Sequence, residues 1–267
     1  MSMVQTGFSN RVALITGGAT GIGLELARQL RLRNNEVVIC GRRQELVESA
    51  LRSIPGLRGI ACDLGADEGI DRLLDFVRSE KLTIDLLVNN AGIQVQTDLM
   101  VADDRITGAL EYELQVNLLA PMKLTKRLLP SLLSRPDAVI LNMLSLLAIM
   151  PKANAPGYCA AKAGLFAFSK SLRVLLAQRD IRVFVAFPPL VDTPMMRGRG
   201  SNKMPVETFV REMLEQMSRG RLDICVGSAR TLYRLERLSP ALAGWWTRRI
   251  SAGSTLPAEQ PKTPPIQ

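Results

Sequence analysis

The sequence predicts an α/β fold in which a doubly wound, seven-stranded parallel sheet is flanked by helices. Short apolar runs alternate with helix-length segments from residue 11 to about residue 228, as in successive strand–helix–strand units. A glycine-rich turn follows the first run and opens the first helix. Neither an internal repeat nor an interior linker divides the 267 residues, so a single domain over residues 1–250 is expected.

Seven runs have the continuous apolar character of strands that helices cover on both faces. In a Rossmann-like sheet of this kind, ligands bind outside the carboxyl ends of the strands. The chemically informative residues each follow a run or begin the next helix, in agreement with that geometry. The predicted strands are Val12–Thr16, Glu36–Cys40, Arg58–Cys62, Ile84–Val88, Ala138–Met143, Arg182–Ala186 and Asp223–Val226.

The composition excludes several classes of protein. The chain contains no histidine, which rules out Ser-His-Asp and Cys-His hydrolases and every histidine-ligated metal centre. Its four cysteines lack paired spacing and fit reduced, buried thiols better than disulfides or zinc ligands. No apolar run approaches the roughly 18–20 residues that span a bilayer, and the N-terminus lacks the features of a signal peptide. We therefore predict a cytoplasmic protein without a metal site.

The net charge of +9 has two interpretations. It would attract an anionic ligand, an acidic protein or a membrane surface. The alternative is a basic surface that contacts only water. No nucleic-acid-binding motif and no interleaved aromatic and basic patch accompanies the charge, so no nucleic acid partner is predicted.

The turn after the first predicted strand has the composition of a phosphate-binding loop. Gly17, Gly21 and Gly23 permit a tight turn and a close approach of the backbone to a pyrophosphate, which then lies at the positive end of the following helix. Thr20 and Ile22 lie in the same turn, and together with the glycines they are predicted to contact the dinucleotide cofactor to which such a pyrophosphate belongs. The Gly-x-x-x-Gly-x-Gly spacing makes this loop longer than the commoner dinucleotide loop.

The end of the second predicted strand favours NADP(H) over NAD(H). A carboxylate at this point would hold the 2′-hydroxyl of NAD and repel a 2′-phosphate. The sequence has instead the adjacent guanidinium groups of Arg42 and Arg43, which suit a phosphate. The alternative is that one or both arginines, Arg43 first, merely begin the next helix in solvent.

Two further loops are expected to contact the adenosine half of the cofactor. Asp63, after the third strand, is suited to accept a hydrogen bond from the adenine amino group. Asn89, Ala91 and Gly92 belong to an Asn-Asn-Ala-Gly segment after the fourth strand, whose small residues let the chain pass close to the ribose. By itself that segment would indicate only a loop.

Tyr158 and Lys162 have the spacing of a proton-transfer pair. Residues four apart share one face of a helix, so the ammonium is expected to lie near the phenol and to lower its pKa. Ser145 lies thirteen residues before Tyr158, at the end of a predicted strand, where its hydroxyl is placed to bond the same substrate oxygen. The alternative, for the pair taken alone, is an ordinary surface contact.

Together and in this order, these motifs resemble the short-chain dehydrogenase/reductase family, of the single-domain kind, from about residue 10 to residue 228. The resemblance implies a catalytic tetrad: Tyr158 is the general acid/base, Ser145 positions the substrate oxygen, and Asn117 anchors a water of the proton relay. Lys162 would bind the nicotinamide ribose beside Tyr158, so both residues also count as cofactor contacts. Without the family context, Asn117 would be only a polar residue on a helix.

The segment from Pro188 to Thr193 matches the part of the family that cradles the nicotinamide carboxamide, which implies contacts from Val191 and Thr193. It departs at Pro189, where the family usually has glycine. Proline removes an N–H and fixes φ near −65°, so the local turn is expected to differ. A mobile lid over the substrate is expected to follow at about residues 194–220.

The remaining expectations concern the branch, the assembly and the end of the chain. The pattern resembles the branch named after the oxidoreductase of operons for D-alanylation of lipoteichoic acid, and the family likeness implies a homodimer or homotetramer. A basic amphipathic segment with two tryptophans spans about residues 228–250. It is interpreted as packing on its own domain or a sister subunit, or as a weak contact with a membrane surface. Residues 251–267, rich in proline, are predicted to be disordered.

The sequence thus predicts an NADP(H)-dependent oxidoreductase that interconverts a small secondary alcohol and a ketone or aldehyde, acting as a carbonyl reductase. One alternative is reduction of a 3-oxoacyl thioester on an acyl-carrier protein, which the positive charge would dock. Another is a catalytically silent NADP-binding sensor or scaffold, against which the complete tetrad weighs.

Overall fold

The structure, a computed structural model, describes residues 8–103 and 105–239. The predicted disordered tail over residues 251–267 lies outside the described residues, as does the last part of the predicted amphipathic segment. Seven strands and eight α-helices lie within the described ranges.

All seven predicted strands are present, with bounds that differ from the predicted ones by at most two residues. They are β1 (Val12–Thr16), β2 (Glu36–Gly41), β3 (Arg58–Ala61), β4 (Leu86–Asn89), β5 (Ala138–Met143), β6 (Ile181–Phe187) and β7 (Asp223–Cys225). Every adjacent pair is parallel, and the spatial order is β3-β2-β1-β4-β5-β6-β7. The predicted Rossmann-like sheet is therefore confirmed, and its strand order reverses between β1 and β4, where such folds bind ligands.

Helices cover both faces of the sheet. They are α1 (Gly21–Arg31), α2 (Gln44–Ser53), α3 (Asp67–Ser79), α4 (Arg105–Leu114), α5 (Ala120–Leu133), α6 (Pro156–Leu175), α7 (Val206–Ser218) and α8 (Ser228–Leu238). Successive residues of a strand point to opposite faces, so Ile15 of β1 packs in the core with α1 and α7, and Leu14 packs in the core with α3 and α5. Both cores are apolar and together bury the strands on both sides.

Helix α7 corrects the predicted extent of the substrate lid. Phe209, Val210 and Met213 are fully buried in the core that α1 and α7 share. Their spacing is that of an amphipathic helix packed on the sheet rather than of a hinged loop. The predicted lid over residues 194–220 is therefore wrong beyond residue 205, where α7 begins.

Helix α8 fixes the first part of the predicted amphipathic segment to the sheet. The ring of Tyr233 lies 5.0 Å from the ring of Phe187, and the Tyr233 hydroxyl donates to Asp223 Oδ2 at 2.6 Å. This face therefore packs on its own domain. In the described part of the chain, no helix has both the length and the apolar character needed to cross a membrane.

Candidate active site

The glycine turn between β1 and α1 is built so tightly that side chains would not fit. Gly17 and Gly21 have φ of 63° and 54°, a left-handed conformation that costs other residues free energy. A Cβ on Gly17 would lie 2.8 Å from the Ala91 Cα, and a Cβ on Gly23 would lie 2.3 Å from the Gly17 carbonyl oxygen. The side chain of Thr20, the N-cap residue of α1, makes no capping hydrogen bond, which leaves the first N–H groups of the helix available to a phosphate.

Asn90 and Thr16 hold the glycine turn against the loop after β4. The Asn90 side-chain amide donates to the carbonyl oxygens of Thr16 at 2.9 Å and Gly17 at 3.1 Å. In return, the Thr16 hydroxyl accepts the N–H groups of Asn90 and Ala91, each at 3.0 Å. The two loops are thus one unit. The sequence does not predict either side chain as a site residue. What points to Asn90 in the sequence is its place in the Asn-Asn-Ala-Gly segment.

A cleft of about 190 Å³ opens beside this unit at the carboxyl ends of β1, β2, β3 and β4. It brings together most of the residues predicted to bind the adenosine half of a cofactor. Arg43 directly precedes α2, as the alternative expects, and it also lines the cleft, as the prediction of a cofactor contact expects. The predicted residues that line the cleft are Gly17, Thr20, Arg42, Arg43, Asp63, Ala91 and Gly92.

Tyr112 of α4 stands in this cleft between two of the predicted cofactor contacts. Its hydroxyl donates to Asp63, with both carboxylate oxygens at 2.8 Å, and accepts from Arg42 Nη1 at 2.9 Å. Burial and the Asp63 carboxylate raise the pKa of the phenol. Tyr112 was not predicted, because it lies 49 residues from Asp63 along the chain and no local pattern distinguishes it.

Asn89 directs its side chain into the interior, away from the cleft. Its side chain is 1% exposed and is not part of the cleft lining. The side-chain amide donates to Asn142 Oδ1 at 2.8 Å, and the Asn142 amide donates to Ser169 Oγ at 2.8 Å. The Asn89 side chain thus links β4 to β5 and α6 inside the protein, and any contact of Asn89 with a cofactor would come from its main chain.

Tyr158 and Lys162 lie together in α6, as their spacing predicts. The Lys162 ammonium is 5.6 Å from the centre of the Tyr158 ring and donates to the Met143 carbonyl oxygen at 2.9 Å. Lys162 is 3% exposed. Because burial disfavours its charged form, the pKa of Lys162 is lowered to about 8.

The predicted direction of the Tyr158 pKa is wrong for this structure. Burial is the largest effect and raises the pKa of Tyr158 to about 12, although the neighbouring Ser145 hydroxyl acts to lower it. Glu113 and Cys159 raise it further. The pKa rises because the free-energy cost of removing the phenolate from water exceeds the lowering by Ser145 and Arg199.

Ser145 follows β5 and precedes a single 3₁₀ turn, Leu146–Ala148. Its hydroxyl accepts the N–H of Leu147 at 3.2 Å, which fixes the side chain at the sheet edge. The hydroxyl also forms the contact with the Tyr158 phenol that lowers the phenol's pKa. The predicted pair of oxygens, one from Ser145 and one from Tyr158, is therefore brought to one place.

Asn117 lies in a five-residue π-helical turn, Gln115–Leu119, between α4 and α5. Its side chain accepts the N–H of Ile93 at 3.1 Å and donates to the carbonyl oxygen of Ile93 at 2.9 Å. A Cβ on Gly92 would lie 2.9 Å from Asn117 Oδ1 and 3.5 Å from the Lys162 ammonium, so the two side chains converge there. Widened turns of this kind are frequent at functional sites.

The segment after β6 returns to the glycine turn. Val191 is 2% exposed and pairs with Met204 as an isolated parallel bridge, which closes the loop between them. The methyl carbon of Thr193 lies 3.2 Å from the position of a Cβ on Gly21. Thr193 is thus next to the glycine turn. After Pro189, the bridge between Val191 and Met204 determines the path of the chain.

The sequence model of the short chain dehydrogenase family matches residues 11–204. The chain belongs to this family. That match spans the glycine turn, the loop after β4, helix α6 with Tyr158 and Lys162, and the bridge at Val191.

Individual relatives agree with the assignment. The uncharacterized oxidoreductase DltE of Bacillus subtilis (strain 168) is 34% identical over 222 residues, which cover 81% of this chain and 88% of that protein. The 3-oxoacyl-(acyl-carrier-protein) reductase FabG of Escherichia coli (strain K12) is 30% identical over 217 residues, 80% of this chain and 85% of that protein. A crystal structure of L-sorbose reductase from Gluconobacter frateurii, complexed with NADPH and L-sorbose, is 25% identical. Its TM-score is 0.73, and the superposition covers 84% of this chain and 97% of that one.

The protein is thus a short-chain dehydrogenase of the DltE-like branch. As a member of this family it is an oxidoreductase that acts on CH–OH groups with a nicotinamide cofactor. Both statements agree with the resemblance that the sequence motifs carried.

Proposed function

We propose that this short-chain dehydrogenase is an NADPH-dependent carbonyl reductase that converts a small ketone or aldehyde to the alcohol, with Tyr158 as the proton donor. The observation that carries the proposal is the place of the Tyr158 phenol, which lies against the Ser145 hydroxyl with the Lys162 ammonium 5.6 Å from its ring centre. Burial also raises the pKa of Tyr158 to about 12, so the phenol is protonated at neutral pH. A phenol that keeps its proton at neutral pH is suited to give that proton to the oxygen of a carbonyl being reduced.

The other three members of the tetrad prepare and restore Tyr158. The Ser145 hydroxyl, in contact with the phenol, donates a hydrogen bond to the same substrate oxygen. Once the proton has left, the Lys162 ammonium 5.6 Å from the ring centre stabilises the phenolate. The side chains of Asn117 and Lys162 converge next to Gly92. From there, Asn117 anchors the water through which solvent returns a proton to Tyr158.

The dinucleotide is held, in this proposal, by the two braced loops and the segment after β6. The close contacts at Gly17 and Gly23 leave a cradle that any side chain would fill, which fits a pyrophosphate. When bound, NADPH supplies the hydride that adds to the carbonyl carbon. The preference for NADPH rests on Arg42 and Arg43. The other proposed contacts are Thr20, Gly21, Ile22, Asp63, Asn89, Ala91, Gly92, Val191, Thr193, Tyr158 and Lys162.

We further propose that the enzyme is a cytoplasmic homodimer or homotetramer, with weak membrane-surface contact through the segment after α8. Four free and buried cysteines in the described residues support a reducing compartment. Val174 and Leu175, at the end of α6, are 80% and 70% exposed and offer apolar surface for a subunit contact.

Two other functions compete with carbonyl reduction of a small molecule. The 30% identity to a 3-oxoacyl-(acyl-carrier-protein) reductase favours a 3-oxoacyl thioester as the substrate, with the net charge of +9 docking an acidic carrier. A catalytically silent NADP-binding sensor or scaffold is the alternative of another class, and it would not need Tyr158 and Lys162 together.

The test is NADPH oxidation measured across ketones, aldehydes, 3-oxo acids and 3-oxoacyl thioesters, with Tyr158→Phe as the control. We expect turnover of a free ketone or aldehyde and a loss of at least about 100-fold in kcat for the variant. Turnover of the thioesters alone would favour the first alternative. No turnover by the wild type, or full biological function of the variant, would favour the second.

Cofactor choice is tested separately with the same substrate. We expect kcat/KM to be at least about tenfold higher with NADPH than with NADH, because a bidentate arginine–phosphate contact contributes well over 1 kcal/mol. Equal or better kcat/KM with NADH would contradict the preference.

A further inference from the structure

Glu113, in the last turn of α4, is a fully buried carboxyl beside the proposed proton donor. Its exposed fraction is 0%, although glutamate is almost never fully buried unless it is paired. Nothing in the roles assigned to the tetrad uses it. Burial raises the pKa of Glu113, and the N–H groups of Val95 and Tyr158 oppose that rise.

The carboxyl faces two chain segments that flank the catalytic residues. Oε1 accepts the N–H of Val95 at 2.7 Å, in the loop that continues from Gly92. Two residues further along, the same loop is tied to the chain before α6, where the N–H of Thr97 donates to the Asn154 carbonyl oxygen at 3.3 Å. Glu113 therefore holds a loop that is tied to the chain just before α6.

The second oxygen, Oε2, faces the start of α6. The position of a Cβ on Gly157 lies 2.5 Å from Oε2, and the N–H of Tyr158 acts on the same carboxyl. No described side chain or main-chain group completes a full hydrogen bond to Oε2. A carboxylate oxygen at this point lies where the positive end of a helix stabilises it.

Helix α6 lacks any cap of its own. Ala155, its N-cap residue, offers no side-chain acceptor, and the first turn contains no acidic residue. Helices normally satisfy their first N–H groups with a nearby oxygen. In the described residues, the carboxyl that reaches this helix end is supplied by α4, from 45 residues upstream of Tyr158.

We propose that Glu113 is a positioning residue of the active site: it ties the loop at Val95 to the uncapped start of α6 and so sets the place of Tyr158 relative to Ser145. The inference rests on the proposed function, because it concerns the group proposed as proton donor. It adds a residue that contacts neither substrate nor cofactor and that acts through the main chain at Tyr158.

The direct test is Glu113→Gln, which preserves size but not acceptor capacity. Whichever way the amide turns, its NH₂ group faces an N–H, of Val95 or of Tyr158, so one donor is set against another. We expect kcat to fall about tenfold or more, because small misplacements of a catalytic group have large effects on rate. The NADPH dissociation constant, measured by fluorescence, should stay within about twofold, because Glu113 does not line the cofactor cleft.

Glu111→Gln is the matched control, an exposed glutamate two residues earlier on the same helix, and it should leave both quantities unchanged. If Glu113→Gln does not fold, Gly157→Ala is the second variant. Its Cβ would lie 2.5 Å from Oε2 and 2.6 Å from Leu110 Cδ2, so the Glu113 carboxyl must shift together with Leu110, while alanine itself suits the helix. Wild-type kcat in a folded Glu113→Gln protein, or in Gly157→Ala when it is the variant used, overturns the inference. A wild-type protein inactive on every carbonyl would instead refute the proposed function.

Discussion

At the residue scale, burial acts in opposite directions on the two residues that the sequence pairs. It keeps Tyr158 protonated and makes Lys162 give up its proton more easily, with pKa values of about 12 and about 8. A proton donor that starts neutral is what carbonyl reduction requires. The buried ammonium, in contrast, lowers the stability of the fold, which makes it a sensitive probe of the site.

The cost of burying Lys162 should appear in the pH dependence of stability. Between pH 8 and about 10.5 the unfolded state keeps a proton on this lysine that the folded state has lost. The free energy of unfolding of the wild type should therefore rise with pH relative to that of Lys162→Met, by about 1.5 kcal/mol from pH 8 to 9.5. Denaturant unfolding at several pH values measures this difference.

Lys162→Met should also lose at least about 100-fold in kcat, since no ammonium remains to stabilise the Tyr158 phenolate. Tyr158 itself does not disturb the comparison, because it is present in both proteins. A difference in unfolding free energy that stays constant across this pH range would contradict the lowered pKa of Lys162.

Tyr112 is expected to set the affinity for the adenosine end of the cofactor. Its hydroxyl holds Arg42 and Asp63 at once, and Tyr112→Phe removes both hydrogen bonds but leaves the ring in place. Each bond contributes about 0.5–1.5 kcal/mol, so KM for NADPH should rise about three- to tenfold while kcat stays nearly unchanged.

Steady-state kinetics of Tyr112→Phe with NADPH and NADH measure this effect. The loss should be larger with NADPH, because Arg42 is the proposed contact for the 2′-phosphate. An unchanged ratio of the two kcat/KM values would show that Tyr112 does not orient Arg42.

At the scale of elements, the turn after β1 and the loop after β4 work as a pair that leaves no room for side chains. In Gly17→Ala, the new Cβ would lie 2.8 Å from the Ala91 Cα in a left-handed conformation. We expect a loss of about 1–3 kcal/mol in the free energy of unfolding and a clearly weaker NADPH affinity, since the loop must shift. Chemical denaturation and fluorescence titration measure the two effects.

Gly198→Ala separates the collision from the backbone conformation. Gly198 also has a positive φ, 73°, but a Cβ there would meet nothing within 4 Å. This control should lose only about 1 kcal/mol and keep its NADPH affinity. Equal behaviour of the two variants would mean that contact with Ala91 does not determine the loop.

The elements that were predicted from sequence are those specified by local pattern. The strands of the sheet are continuous apolar runs, and the glycine turn follows from the spacing of Gly17, Gly21 and Gly23. Three features depend instead on contacts far along the chain: the π-helical turn at Asn117, the bridging hydroxyl of Tyr112 and the buried carboxyl of Glu113. Helical periodicity alone does not reveal which turn widens or which polar residue is covered.

Two errors have the same origin. The direction of the Tyr158 pKa was wrong because neighbour spacing is visible in sequence, whereas the depth of burial is not. The predicted lid, residues 194–220, extends too far because the family pattern places a loop after Thr193 and does not show where that loop ends. The apolar positions of α7, such as Phe209 and Met213, bury that part of the segment in the core.

At the scale of the whole molecule, the sheet ends at β7, and α8 closes it through Tyr233. The hydroxyl of Tyr233 and the guanidinium of Arg173 both bond Asp223, at 2.6 Å and 2.7 Å. Removing α8 would break this cluster and expose the ring of Phe187. To test the role of the last part of the chain without disturbing the fold, the chain should therefore be truncated after Ser239, where α8 has ended.

The proposed membrane contact is tested by comparing the full chain with one that ends at Ser239. The residues removed include Trp245, Trp246, Arg248 and Arg249, the aromatic and basic residues that suit an anionic lipid surface. We expect the full chain to co-sediment with phosphatidylglycerol vesicles, the shorter chain to remain in the supernatant, and neither to bind phosphatidylcholine vesicles. Both should reduce the same carbonyl substrate equally well, because the tetrad and α8 are retained. Identical sedimentation of the two proteins would contradict a membrane contact through these residues.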